Sequence, residues 1–186
     1  KKVLLIDKGH DIFDRHCPIL DGNIKQCPQD IYGNSGCKPS CSMTCGFGGS
    51  GAYSDGKFNI THEFGGWMNE YIPDEEVLEL IRYVDTINLD HGAPKETTDP
   101  HTDKVYDIER RGIAASLKLL RSQVRHLGTE VNLEVLKSIN KEMKEHIDYR
   151  FKTAVADIKV EETQVKGVVL ADKTFIEAPV VVLGIG

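Results

Sequence analysis

Two short runs, Val3-Leu4-Leu5-Ile6 and Val180-Val181-Val182-Leu183, are apolar at every position. A strand with one wet face alternates apolar and polar residues, whereas a strand covered on both faces reads as a continuous apolar run. Both runs therefore predict buried strands of the parallel type, and with the helical segments between them they predict an α/β fold. In that class ligands gather beyond the carboxyl ends of the strands. Those ends carry Asp7-Lys8-Gly9 and Gly184-Ile185-Gly186. A carboxylate can accept hydrogen bonds from a vicinal diol, which is why an acidic residue closing such a strand binds ribose in dinucleotide folds. Asp7 is a candidate for that role; a solvated strand-end charge is the alternative. The Gly-x-Gly-x-x-Gly phosphate turn of such folds lies about 20 residues before the acid, and only six residues precede Asp7. The chain thus reads as starting inside a βαβ unit and stopping at a site-forming turn, a piece of something larger.

The stretch from Cys45 to Lys57 reads Cys-Gly-Phe-Gly-Gly-Ser-Gly-Ala-Tyr-Ser-Asp-Gly-Lys. Glycine permits positive φ and close backbone approach to a ligand. A flexible linker would hold glycine and serine and little else. Here backbone amides can form an anion-binding concavity, with Ser50, Ser54, Asp55 and Lys57 as orienting groups. An ordinary glycine-rich surface loop is the alternative.

Residues 10–42 hold three prolines and three glycines with no sustained period. They predict a long loop with at most one helical turn, and a loop of that length is commonly functional or disordered. It contains Cys17, Cys27, Cys37 and Cys41, with Cys45 just beyond. Cys37, Cys41 and Cys45 would share one face of a helix and offer three thiolates to a metal. Pro39 opposes that helix. The spacing is neither the paired C-x2-C of structural zinc sites nor a common iron–sulfur run, so buried or idle thiols are the alternative.

At 186 residues one domain is expected, with room for a smaller lobe. A net charge of −6 supplies no basic footprint, so neither nucleic acid nor an anionic membrane is an expected partner. No apolar run approaches the ~20 residues of a membrane span. The amino end is too short and wrongly flanked for a signal peptide. An odd cysteine count without marks of secretion points to reduced thiols and a cytoplasmic protein.

Residues 59–67 continue the loop. Asp74 then caps a helix whose Val77, Leu80, Ile81, Val84 and Ile87 recur at helical spacing, with Gly92 as its stop. Tyr106 to Ala115 reads as a shorter helix with Glu109, Arg110 and Arg111 exposed, and residues 117–124 as extended. Thr129 caps a helix reaching about Glu145. Arg125 and His126, just before its amino end, are candidates for holding an anion; two solvated basic residues are the alternative. From Tyr149 the period changes to two. Residues 149–160, 165–170 and 174–177, parted by turns at 161–164 and 172–173, predict an antiparallel meander.

Five stretches together resemble a known family: 3–9, Gly46 to Lys57, Val124 to Thr129, Val165 to Val168 and Val180 to Gly186. They are similar, in order and over nearly the whole chain, to the uncharacterised FAD-dependent dehydrogenases of bacteria and archaea, in the two-dinucleotide-fold flavoprotein superfamily. The block Gly48-Gly49-Ser50-Gly51-Ala52-Tyr53-Ser54-Asp55-Gly56-Lys57 is the most specific part. The resemblance implies a partial FAD/NAD(P)-binding, Rossmann-like domain made of residues 1–58 and 129–186, the latter carrying the meander. Residues 59–128 would be an inserted helical or substrate-side region. It implies FAD as cofactor, with Asp7 at the adenosine ribose, Lys8 next to it among the cofactor-binding residues, and Gly48, Gly49, Ser50, Gly51, Ser54, Asp55 and Lys57 beside flavin and pyrophosphate. Val155 would meet the adenine through its backbone, and Gly184 and Gly186 would approach the pyrophosphate. Lys57 would tune the flavin, and Lys57 and His126 are the catalytic candidates. The substrate would be a small molecule, with NAD(P) as an electron partner. Two family features are missing: the upstream phosphate turn and the second FAD-contacting region near the carboxyl end. A metal module on Cys37, Cys41 and Cys45, or a non-catalytic remnant of a dinucleotide fold, are the competing readings.

Overall fold

A computed structural model describes residues 2–33 and 36–185. Their secondary structure is mixed α/β with small sheets. The chain divides into two units, Lys1–Ser50 with Asn140–Gly186, and Gly51–Ile139.

In the first unit β1 (Leu4–Ile6) pairs in parallel with β4 (Asp148–Arg150), Leu5 opposite Tyr149. The pairing continues past the strands, as Asp7 N–H donates to Arg150 O at 3.0 Å and Thr153 N–H to Asp7 O at 3.0 Å. The parallel character read from the first apolar run is present. The meander is present too: β5 (Val155–Glu161), β6 (Gln164–Leu170) and β7 (Phe175–Glu177) lie antiparallel in that order. β6 has a neighbour on each side, so Val168 and Leu170 are buried there. The second apolar run does not form a strand. Residues 180–183 pair with nothing among the described residues, and Val182 is 87% exposed. A β-branched run becomes a strand only where another strand offers an edge.

Among the described residues the long loop holds a 3-10 turn at Ile12–Asp14, capped by the Asp11 carboxylate, as well as the helical turn α1 (Pro28–Tyr32), more than the one turn expected. Its return to the strand end depends on two glycines. A Cβ on Gly9 would stand 2.3 Å from Gly46 N, and one on Gly46 would stand 2.4 Å from His10 O. Gly46 also has φ +105°, which a side chain strongly disfavours. The approach lets Phe47 N–H donate to His10 O at 3.1 Å. The buried Arg15 reinforces it, with Nε 2.9 Å from Ser42 O and Nη1 2.7 Å from Phe47 O.

The second unit contains β2 (Lys57–Ile60), β3 (Gln123–His126), α2 (Asp74–Asp90), α3 (Asp103–Ala114) and residues 129–139 of α4 (Thr129–His146). β2 and β3 pair antiparallel, Lys57 opposite His126 and Phe58 opposite Arg125. β2 occupies the first residues of what reads in sequence as loop. α2 begins one residue earlier than expected in capping terms: Pro73 is the N-cap, and Asp74, Glu75 and Glu76 fill the first turn, where the helix dipole favours negative charge. Gly92 stops it as predicted, with φ +102°. α2's buried line is Val77 and Asp85, while Leu80 and Val84 face solvent. α3 begins after Thr102, whose hydroxyl accepts from Val105 N–H. Ala93, Leu127 and Val135 form the apolar core, joined by Ile139.

Beside that core lies a buried ion pair. Arg125 donates through Nε to Asp85 Oδ1 at 2.6 Å and through Nη2 to Oδ2 at 2.7 Å. Its Nη1 donates to Pro94 O at 2.5 Å. Arg125, offered above as an anion anchor, is therefore occupied and only 5% exposed. Strand alternation explains this: Arg125 and His126 point to opposite faces of β3. No helix among the described residues is long and apolar enough to cross a membrane.

Removing one partner strands the other charge without compensation. Arg125→Met is expected to lower the unfolding free energy by about 3–5 kcal/mol, read by urea denaturation. The double change Arg125→Met with Asp85→Leu should recover a large part of that loss. Gly46→Ala should cost about 1–3 kcal/mol in the same measurement, whereas Gly22→Ala, which meets open space and shares a positive φ, should cost less.

Candidate functional site

The glycine stretch is held by its own polar groups. Ser54 hydroxyl donates to Gly51 O at 2.9 Å and accepts from Gly56 N–H at 3.1 Å. Asn132, on the first turn of α4, donates through Nδ2 to the same Gly51 carbonyl at 2.7 Å. The backbone then joins the β3–α4 corner: Leu127 N–H donates to Gly56 O at 2.9 Å, and Gly128 N–H to Asp55 O at 3.0 Å. Gly56 has φ +63°, and a Cβ there would lie 2.9 Å from the Asn132 Cβ and 3.0 Å from the Leu127 Cβ. Only glycine fits this contact without displacement. Ser54, expected to face a ligand, is thus turned into the loop and shapes it.

What the loop presents outward is Asp55. One of its oxygens, Oδ2, lies 2.8 Å from Lys57 Nζ and 2.9 Å from His126 Nε2. Lys57 and His126 are directly opposite in the β2–β3 ladder, where facing side chains stand closest. All three are half exposed. The hydrogen bond from Lys57, then that from His126, hold the Asp55 carboxyl below the usual carboxylate range. A neutral His126 ring that donates its Nε2–H to Asp55 carries its lone pair on Nδ1. The structure therefore brings together three residues singled out in the sequence: an ammonium, an imidazole and the carboxylate that orients both.

Apart from Gly51, the remaining candidates belong to the other unit. Asp7 is half-buried at the end of β1, and its Oδ1 accepts from Gly9 N–H at 2.6 Å. Lys8 is exposed beside it. Gly48 and Gly49 adopt positive φ, and Gly49 and Ser50 open a 3-10 turn, Gly49–Tyr53. Gly51, the first residue of the second unit, contributes its carbonyl to the loop clamp. Val155 opens β5, opposite Leu170. The strand directly after α4 is β4, so Val155 starts the meander rather than following the helix. Gly184 is exposed and follows no strand, which removes the strand-end turn expected there; Gly186 lies outside the described residues. All five cysteines are free and half-buried. Among the described residues no three Cys, His, Asp or Glu side chains form a metal-binding group, so Cys37, Cys41 and Cys45 are not arranged as a ligand set.

Two structural contributors escaped the sequence reading. Asp85 had a visible signal, a carboxylate in the helical line of Val77 and Ile81. Asn132 had none, because its partner Gly51 is remote in sequence. No protein-family model matches the chain, and no curated protein matches it.

The Asp55 geometry sets a pH sign. Its carboxyl protonates at lower pH folded than unfolded, so whatever the contacts add is present above the ordinary carboxylate range. It is lost as pH falls through the lowered folded value. Carboxyl-carbon NMR should show the Asp55 midpoint rising in Lys57→Gln and rising less in His126→Gln. Equal midpoints in all three proteins would mean the contacts do not form in solution.

Proposed function

We propose that this chain is part of a flavin-dependent oxidoreductase, a dehydrogenase that uses FAD. The observation that carries this reading is the Asp55-bridged pair of Lys57 and His126 on a glycine-shaped loop. A bound flavin would supply the hydride or electron transfer. The chain's own residues do the rest. Lys57 places a fixed positive charge at the loop surface, where it favours negative charge on a reduced ring. Asp55 keeps the ammonium in place and orients the imidazole. His126 offers Nδ1 as the atom that takes a proton from a small-molecule substrate.

The first unit carries candidate dinucleotide-binding groups of its own. Asp7 spends one oxygen on Gly9, and its second is the acceptor for ribose hydroxyls. Lys8, exposed beside it, is a cation available to a phosphate. The parallel pairing of β1 and β4 supports reading this unit as part of a Rossmann-like dinucleotide domain, with NAD(P) as the electron partner and the cytoplasm as the compartment. Ser54 does not fit, since its hydroxyl is already engaged in both directions, and Gly184 lacks the strand that would aim it.

The test is a visible absorbance spectrum of the purified chain, with and without added FAD, followed through gel filtration. The expected result is two flavin bands that co-elute with the protein, with binding weakened roughly tenfold in Lys57→Gln, the scale of one charge-assisted contact. A well-folded chain that neither carries nor takes up flavin would overturn the proposal.

A further inference from the structure

Two helices of the second unit leave apolar surface uncovered, and the flavin reading makes no use of it. On α2, Leu80, Tyr83 and Val84 are exposed, Tyr83 to 66%. Their spacing of three and four puts them in one stripe, distinct from the buried Val77 and Asp85. Glu76 and Glu79 stand one turn before Leu80 and Tyr83 on the same face. Both are exposed, and neither makes an ion pair among the described residues. The whole helix carries six carboxylates and one guanidinium, that of Arg82. Asp85 is taken by Arg125, and Asp74 lies 3.4 Å from His62. The uncovered face of α2 is therefore apolar along its middle and acidic at its rim.

α3 is the counterpart. None of its residues is buried. Ile108 and Ile113 are exposed on it, as is Leu117 just beyond, which packs on Gly112: a Cβ there would stand 4.0 Å from the Leu117 Cβ. Residues 104–121 hold five cations and two carboxylates. Both carboxylates are spent locally, Asp107 on Arg110 at 3.0 Å and Glu109 on Arg121 at 3.5 Å. Lys104, Arg111 and Lys118 remain exposed and pair with no carboxylate among the described residues. Lys104, Ile108 and Arg111 share one line along the helix. This face is apolar with a basic rim.

We propose that two copies of this chain associate through these faces, α2 of each lying on α3 of the other. Leu80, Tyr83 and Val84 meet Ile108, while Glu76 and Glu79 meet Lys104 and Arg111. Charge selects this pairing: α2 against α2 would set carboxylates mostly against carboxylates, and like charges across an interface oppose it. At 12 residues against 17, α3 is short enough to lie along α2. A two-fold arrangement makes the contact twice and closes on itself, so association ends at a dimer rather than a filament. None of this depends on bound flavin.

The experiment is sedimentation velocity of the whole chain over a range of concentrations, at low and at high salt. The expected result is a monomer–dimer equilibrium that salt weakens. Glu76→Lys with Glu79→Lys should raise the dissociation constant roughly tenfold or more, and so should Lys104→Glu with Arg111→Glu. Each double variant repels its own copy at both contacts. Mixed in equal amounts, the two variants should form a heterodimer, because each contact then joins opposite charges again. That recovery also shows that both variants are folded. A chain that stays monomeric at every concentration, a dimer that neither double variant weakens, or a mixture that associates no better than its components would overturn the proposal.

Discussion

The second unit rests on the forked contact between Arg125 and Asp85. Two opposite charges removed from water lose hydration, and only good geometry recovers it. The geometry here is bidentate, with a third donor on the Pro94 carbonyl. That one side chain ties β3 to α2 and to the segment after it. Guanidinium suits the task because it is planar, always charged and weakly hydrated. Once Arg125 is committed inward, strand alternation turns His126 outward. The register with β2 then sets Lys57 opposite His126, and the loop before β2 delivers Asp55 between them.

Two sets of charges, one residue apart on β3, therefore have opposite economies. The inner pair is dry and holds the fold. The outer set is wet, and exposed ion pairs add little stability. Lys57, His126 and Asp55 do not hold the loop; Ser54, Asn132 and the tight seat of Gly56 do that. A surface cluster that the fold keeps in place, yet does not need for stability, is where binding or proton transfer costs the fold least. That separation is the physical basis for reading Asp55, Lys57 and His126 as functional and Arg125 as structural.

Much of the secondary structure was legible because it depends on local pattern. The stripes from Val77 and from Val135 marked helices, although Thr129 is the first residue of its helix rather than the cap, and the change to period two marked the meander. What failed depended on partners remote in sequence. Lys57–Ile60 is a strand only because β3 lies beside it. Val180 to Leu183 has a stronger strand composition and yet stays exposed, because no described edge meets it. Arg125 and His126 look alike in sequence, as neighbouring basic residues before a helix; only strand phase and the distant Asp85 decide which is buried. The site was legible in type through the glycine block with Asp55 and Lys57, while the inward turn of Ser54 and the clamp of Asn132 were not.

The first unit uses the same device with a different consequence. Arg15 is, like Arg125, a buried guanidinium, but where Arg125 forks onto a carboxylate Arg15 donates to backbone carbonyls, gathering the turn at Ser42 and the glycine stretch at Phe47. A charge placed to hold two loop segments also acts on whatever titrates nearby, because Coulomb interactions weaken slowly where water is scarce. Next to Arg15 the titrating group is the sulfur of Cys41. The turn after Cys41 is closed by the Thr44 and Cys45 N–H groups, which donate to the Cys41 carbonyl. The Cys41 thiol is thereby held below its ordinary range, while burial pushes the Cys37 thiol above it, a difference set by how the loop is folded.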